Sequence, residues 1–517
     1  MTFTVDHLHR IVGFTMSDEQ IAAVTADLER PLLVVAGAGS GKTTVMAARV
    51  LWAVGTEQVE PADVVGLTFT RKAAAELSTR VRSLLDNLYE DYPPRGGGIG
   101  EPGSPVISTY HAFAHQFVAE HGLRIGVEPG ARLLSETEAL QLAYRVVLNT
   151  QYPLRDIGVT PAKLAQIVVN LDQQLSEHVA SPEELREHDR RLVDRVAGLE
   201  KSVALDRAAA DAAQQRIQVS ELVEEFRREK QAEDVIDFAD VMRFGHELAS
   251  RDDVQSLVHD QVRMVLLDEY QDTSVVQAEL LAPLVGPGAS VTAVGDPLQA
   301  IYSWRGAGAN AMADFESHFT AGRNGGVTVL PLSISQRSGA KVLAVANDIA
   351  APLRSEATQV VTLQPAVRES GPRRDGVRSA LFDTYRAEVE WLGDRIAEQV
   401  AAGTDPSAIA VLCRATRDFP EVLDALHRRG IAAAVSGTDG LLSQPEVVDA
   451  ISVLQVISDP AENSAMLRIL LGPRMRIGPR DLAVLGERAS ALAREAARSS
   501  KAKSAEASME SGSGAES

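Results

Sequence analysis

The sequence predicts an α/β protein built on parallel sheets, and three observations carry that expectation. Apolar runs with the length of buried strands alternate with helix-like stretches, as in "PLLVVAGAGSGKTT" (31–44), "DVVGLTFTRKAAAEL" (63–77), "VRMVLLDEYQD" (262–272) and "SVTAVGDPLQAIYSW" (290–304). Strands that alternate with helices in this way pair in parallel through helical crossovers. Several of these runs lead straight into glycine-rich or acidic turns, the usual place for ligands on an open parallel sheet. The 517 residues also exceed one hydrophobic core and leave room for about two to four domains.

Composition narrows the class. Hydrophobic residues make up 45%, so the bulk of the chain folds. No stretch approaches the ~20 consecutive apolar residues of a membrane span. The opening "MTFTVDHLHRIVGF" lacks the basic-then-apolar order of a signal peptide. Cys413 is the single cysteine, which excludes an intramolecular disulfide and a cysteine-rich zinc or iron–sulfur site. A cytoplasmic protein without membrane contact is expected. The formal net charge of -20 weighs against a nucleic-acid partner, because such proteins usually carry a basic footprint. A local basic groove would still suffice.

Along the chain, the first α/β domain is expected in two parts, 1–117 and 235–328. A helical insertion over 118–234 separates them, and its charge-rich stretches read as solvated helix faces. The Gly/Pro loop "DYPPRGGGIGEPGSP" (91–105) punctuates the first part. A second α/β set is expected over 329–442, with strand-then-helix order in "AIAVLCRATRDFPEVLDALHRRGI" (408–431). Residues 443–498 read as helical. Residues 499–517, rich in Ser, Ala, Gly and Glu, read as disordered.

The chemistry concentrates in three segments. The first is "AGAGSGKT": Ala36, Gly37, Ala38, Gly39, Ser40, Gly41, Lys42 and Thr43. Glycines there let backbone N–H groups converge on phosphate oxygens. Lys42 supplies a point charge for the β- and γ-phosphates, and the Thr43 hydroxyl can hold Mg²⁺. Ala36 stands where the strict pattern has Gly. The second segment is "VLLDEYQDTS" (265–274), a buried strand that runs into Asp268 and Glu269. An unpaired buried charge is costly, so two adjacent acids at a strand end need a purpose. A bound Mg²⁺–triphosphate supplies one: Asp268 orients the metal and Glu269 positions the attacking water. A kinase has no need of the second acid, so the pair favours hydrolysis over transfer. The third segment is "GDPLQAIYSWRGA" (295–307). Gln299 follows a strand and can touch a γ-phosphate. Tyr302, Trp304 and Arg305 can sandwich a nucleic-acid base, a stacking worth about 1–3 kcal/mol per base without sequence preference.

"AGAGSGKTT", "LTFTRKAAAEL", "STYHAF", "LLDEYQD" and "GDPLQAIYSWRGA" stand in the order and spacing of UvrD/Rep/PcrA-like superfamily 1 DNA helicases. The resemblance covers about residues 17–480. Within the family, "TYHAFAHQFVAEHG" and "LSISQRSG" are most similar to actinobacterial AdnB-type helicase–nuclease subunits. The resemblance implies two RecA-like motor domains with helical insertions, ATP and Mg²⁺ as cofactors, and single-stranded DNA or single/double-strand junctions as substrate. It implies that Gln20 reads the adenine edge and that Gln299 couples the γ-phosphate to DNA. Phe69, Thr70 and Lys72 match a strand-contacting segment, with Arg71 where Asn is common. His111 and Phe113 match a second DNA-contacting motif, and Trp304 with Arg305 match the base-stacking pair. "LSISQRS" resembles the start of the second motor domain, which makes Arg337 the expected arginine finger.

Three departures from the family pattern qualify these roles. Gln336 replaces a tyrosine that stacks on adenine, and Thr44 replaces an arginine on the other face, so looser base selectivity is expected. The family's later "VHKAKGLEW"-like and "RRLFYVALTRA"-like motifs are not found, so a C-terminally truncated chain with an incomplete second motor domain is expected. Two readings follow from the resemblance: a 3′-to-5′ DNA motor, or an ATP- and DNA-binding subunit that depends on a protein partner for turnover. A small-molecule P-loop ATPase or kinase is the third, and the segment from Tyr302 to Arg305 counts against it.

Overall fold

A computed structural model describes residues 3–92, 103–155, 157–199, 201–302, 306–307, 310–320, 323, 325–354, 360–366, 376–435, 444–460 and 462–494. The chain divides into two compact units, Met1–Arg378 and Ser379–Ser517.

The first unit is organised by a six-stranded parallel sheet. Its strands are β1 (Leu32–Ala36), β2 (Val64–Thr68), β3 (Val106–Thr109), β6 (Met264–Leu267), β7 (Ser290–Gly295) and β8 (Thr328–Leu332), in the order β3-β2-β6-β7-β1-β8. Two short ladders lie outside it: β4 (Arg132–Leu133) with β5 (Val235–Ile236), and β9 (Ile334–Ser335) with β10 (Gln364–Pro365). β1, β2, β6 and β7 are buried along their whole length, as expected for parallel strands covered on both faces. Alternation sorts their side chains into two cores. Leu33, Val35, Leu67, Val265 and Val291 face one layer with Phe315 and Tyr270. Leu32, Val34, Leu266 and Val294 face the other, with Met46 and Val50 of the helix Lys42–Gly55. Each fully buried Val, Leu or Phe contributes about 1.5–3 kcal/mol.

β8 corrects a sequence-based boundary. Residues from 329 on were expected to open the second α/β set. Instead β8 pairs with β1 from Leu32↔Thr328 to Ala36↔Leu332 and closes the first sheet. The pairing satisfies a backbone edge of β1 that would otherwise lack a partner in the sheet.

The helical insertion also starts later than residue 118. The helix Tyr110–His121 crosses that point because Phe117 and Val118 are buried in the sheet core. The β4–β5 ladder then ties the entrance of the insertion to its exit, Arg132↔Val235 and Leu133↔Ile236. Between them lie the helices Glu136–Asn149, Pro161–Glu177, Pro182–Ala197 and Ala204–Ala232. Ser135 with Glu138 and Ser181 with Glu184 form capping boxes that start two of these helices. Leu142, Val168, Leu222 and Phe226 form a core belonging to the insertion itself.

The second unit holds the helices Tyr385–Ala401, Phe419–His427, Pro445–Ser458 and Asn463–Leu471. Val389, Ile396, Val422, Ala425 and Leu426 make its core. Residues 409–413 keep the alternation of a strand: Ile409, Val411 and Cys413 pack on that core while Leu412 is 95% exposed. Among the described residues no strand pairs with this segment. The expected disordered tail, 499–517, and most of the Gly/Pro loop lie outside the described residues.

Candidate active site and nucleic-acid face

The strand order sets the geometry of the site. β7 lies between β1 and β6, so the loops after these three strands stand side by side at the C-terminal edge of the sheet. β1 ends at Ala36, and Lys42 opens the helix Lys42–Gly55. The loop between them turns through Gly39 and Gly41, whose φ values of 75° and 93° L side chains rarely adopt. The Ser40 hydroxyl donates to Gly37 O at 2.8 Å and pins the loop internally. Gly41 caps the helix without a side-chain acceptor. The first N–H groups and the positive helix end therefore remain directed at whatever enters the loop, which suits a phosphate.

The two acids after β6 are held differently. Glu269 has left-handed backbone angles, φ 47° and ψ 48°, a sparsely populated state for a non-glycine residue. Its carboxylate meets Lys42 Nζ at 2.6 Å, with a second hydrogen bond from Gln271 Nε2 at 2.9 Å. Asp268 is 5% exposed. Burial first, and the adjacent Glu269 second, push its carboxyl up to about 6, despite the pull of Lys42. A buried carboxylate held this high is short of positive charge, which is the environment a divalent cation corrects. With the half-buried Thr43 hydroxyl it offers few protein oxygens, the pattern of Mg²⁺, which keeps several waters.

From Glu269 a chain of hydrogen bonds leads toward the third segment. Gln271 Oε1 accepts from Asp296 N at 2.9 Å, and Gln299 Nε2 donates to Asp296 Oδ2 at 2.7 Å. Asp272 Oδ1 accepts from Ile301 N at 3.0 Å. Tyr302 follows, stacked on Phe69 with ring centroids 4.5 Å apart and 19° between planes. Two of the expected base-contacting aromatics, from β2's end and from β7's end, are thus brought together. Trp304 and Arg305 lie outside the described residues. Thr70 caps the helix Arg71–Asp91 by accepting from Ala73 N at 3.1 Å, and Lys72 is exposed in its first turn. His111 is edge-on to Phe238 at 5.7 Å. Phe113 lies nearly parallel to Phe117 at 6.1 Å and packs, half-buried, against the sheet core.

The remaining nucleotide residues gather around the loop. Gln20 Nε2 donates to Ser40 O at 3.0 Å, and the capping box of Ser17 fixes its helix. Arg337 follows β8 and β9 and lies against the loop: a Cβ built on Gly39 would stand 2.6 Å from Arg337 Cβ. Thr44 Oγ1 accepts from Arg80 Nη1 at 2.6 Å, so a guanidinium stands beside position 44 although residue 44 carries none.

Sequence reasoning missed Gln271, Asp272, Phe238 and Arg80. Gln271 and Asp272 sit inside the quoted "DEYQD", and two more polar residues at a strand end were the available signal. Phe238, 43% exposed, and Arg80 lay inside helix-like stretches with no local mark.

A parallel sheet whose first strand feeds such a loop, with the acid pair two strands away, defines a RecA-like P-loop nucleotide-binding fold. The chain belongs to the UvrD/REP helicase family: residues 16–320 match the UvrD/REP helicase N-terminal domain, and residues 331–499 match the UvrD-like helicase C-terminal domain. It is similar to the ATP-dependent DNA helicase Rep of Salmonella typhimurium, 28% identical over 459 residues that make up 88% of this chain and 60% of the relative. It is 28% identical to the ATP-dependent DNA helicase UvrD2 of Mycobacterium tuberculosis over 473 residues, 89% of this chain and 61% of that protein. DNA helicase II of Haemophilus influenzae is 26% identical over 473 residues, 91% and 58% of the two chains. The chain thus spans about three fifths of the length of the curated relatives it matches. No helix among the described residues is long and apolar enough to cross a membrane.

Proposed function

We propose that the protein is an ATP-dependent DNA translocase and helicase of the UvrD/Rep type, acting in the cytoplasm on single-stranded DNA and on single/double-strand junctions. One observation carries the proposal: Glu269, paired with Lys42, begins a hydrogen-bonded path through Gln271 to Asp296 and Gln299, and the neighbouring Asp272 anchors the backbone just before Tyr302. Nucleotide chemistry and a base-stacking platform are mechanically continuous along that path.

In the mechanism, the arriving triphosphate competes with Glu269 for Lys42. Lys42 moves its charge to the β- and γ-phosphates, and Glu269 is released to orient a water and accept its proton. Thr43 and Asp268 would hold Mg²⁺, which supplies positive charge against the phosphates. Arg337 faces charge that develops at the γ-phosphate, a contribution on the order of 10³–10⁵ in rate for such residues. Gln299 and Asp296 respond to the γ-phosphate and pass the change to Tyr302, whose stack on Phe69 opens to admit a base. Translocation in the 3′-to-5′ direction and a role in DNA repair or recombination rest on the family resemblance.

DNA-stimulated ATP hydrolysis tests the proposal. Lys42→Ala and Glu269→Gln are expected to abolish turnover, with ATP binding retained by Glu269→Gln. Normal hydrolysis by Glu269→Gln would remove the base assignment. Trp304→Ala is expected to uncouple DNA from turnover, and undiminished stimulation would return Trp304 to a packing role. A weakened preference for ATP over GTP is expected from Thr44 and Gln336, measured as the ratio of their hydrolysis rates; a strong ATP preference would count against that expectation.

A second reading is favoured by the segment at 409–413, which pairs with no strand among the described residues: an ATP- and DNA-binding subunit with little turnover of its own, completed by a protein partner such as a helicase–nuclease subunit. DNA binding without stimulated hydrolysis selects it.

A further inference from the structure

Glu19 makes a contact that the nucleotide chemistry described so far leaves unused. Its two carboxylate oxygens accept from a single residue 314 positions away: Oε2 from Ser333 N at 2.7 Å and Oε1 from Ser333 Oγ at 2.6 Å. A two-point, charge-assisted contact fixes both distance and orientation, and it is stronger than a pair of neutral hydrogen bonds. Glu19 is half-buried and sits in the first turn of the helix Asp18–Thr25, so that helix end also favours its negative charge.

Ser333 follows β8 immediately and opens the segment that carries Arg337. From there the chain is fastened to the phosphate loop step by step. Ser335 Oγ donates to Ala38 O at 2.9 Å. Gln336 N donates to Gly39 O at 2.7 Å. Arg337 Cβ then lies where a side chain at Gly39 would collide with it. On the opposite side of Ser333, its carbonyl accepts from Gln364 N at 2.9 Å and begins the β9–β10 ladder. The next residue of Glu19's helix, Gln20, holds Ser40 O. One turn of helix thus grips the loop near Ser40 and the Arg337 segment at Ser333.

We propose that Glu19 is a positioning residue that, through Ser333, sets Arg337 at the γ-phosphate side of the loop. Arg337 is then held against the phosphate loop at Gly39. This rests on the reading of Arg337 as the γ-phosphate cation under the proposed function.

The test uses the full chain with Glu269→Gln as background, so that ATP stays intact, and measures equilibrium binding of ATP and ADP at constant Mg²⁺. The ratio of the two affinities reports the γ-phosphate contact and cancels any general effect of removing a negative charge. Glu19→Ala is expected to lower the ATP-over-ADP preference at least about tenfold, the loss of a charged contact, while ADP affinity holds. Glu19→Gln, which can still pair with both Ser333 groups, is expected to keep most of it. In an Arg337→Ala background, Glu19→Ala is expected to change nothing further. If Arg337→Ala removes the preference and Glu19→Ala does not, the positioning role is overturned and the function stands. If the two losses multiply, or ADP affinity falls in parallel, Glu19 acts elsewhere and the inference is likewise overturned. A preference indifferent to Arg337→Ala, or no nucleotide binding by the background protein, overturns the reading of the site and the inference with it.

Discussion

Glu269 is a charged residue with a left-handed backbone, paired with the lysine of the phosphate loop. Such strain costs about 1–3 kcal/mol and persists only where surroundings over-determine it. Here the 2.6 Å pair with Lys42 and the bond from Gln271 do so. Its neighbour shows the same tension between stability and use. Asp268 is desolvated and held up to about 6, so its charged form is disfavoured in the folded chain. With a folded pKa above the unfolded one, the stability it contributes is present at low pH and is lost as pH rises through about 6. At neutral pH, Asp268→Asn is therefore expected to raise the melting temperature of the nucleotide-free protein and to abolish hydrolysis. A lowered melting temperature would mean that the carboxylate is structurally compensated in a way its surroundings do not indicate.

At the scale of elements, the helical insertion is joined to the sheet domain by a buried ionic cluster. Lys230 Nζ lies 2.9 Å from Asp172, 2.7 Å from Asp237 and 2.7 Å from Asp240, and it is 2% exposed. Arg227 pairs with Asp172 at 2.6 Å and Arg243 with Asp240 at 2.8 Å. Three acids and three bases balance, and the lysine ammonium takes the central place a metal ion would need. The cluster links the helices Pro161–Glu177 and Ala204–Ala232 to Phe238–Ala249, the helix whose first residue faces His111. Removing one partner strands the others, at a cost of about 3–5 kcal/mol. Lys230→Met is expected to lower unfolding stability by that amount in urea titration. A loss below about 1 kcal/mol would show that the acids neutralise or rehydrate instead. None of this was legible beforehand. Asp172 and Lys230 sit in the helical insertion, whose charge-rich stretches read as solvated faces, because periodicity gives the face of a helix and not what packs on it.

At the scale of the molecule, a net charge of -20 and a nucleic-acid partner are reconciled only by local placement. Lys72 and Arg71 are exposed at the start of the helix that follows Phe69, at the edge of the sheet where Tyr302 stacks. The long-range field opposes a polyanion while the short-range contacts attract it. Lys72→Ala is expected to weaken single-stranded DNA binding uniformly across sequences and to reduce the dependence of log affinity on log salt by about 0.7. An unchanged slope would place Lys72 off the DNA path.

By itself the sequence determined the parallel α/β class, the phosphate loop at Lys42 and the acid pair at Asp268 and Glu269. Each of these is local: a buried strand and the turn that must follow it lie within about a dozen residues, and their chemistry is written in residue type and spacing. The tertiary structure decided what depends on partners distant in the chain. It gave β8 to the first sheet, moved the start of the insertion past Val118, and brought Arg337 to the phosphate loop, Glu19 to Ser333 and Arg80 to Thr44. Those placements follow from which backbone edges and apolar faces remain unsatisfied once the sheet assembles, a condition no short window of sequence contains.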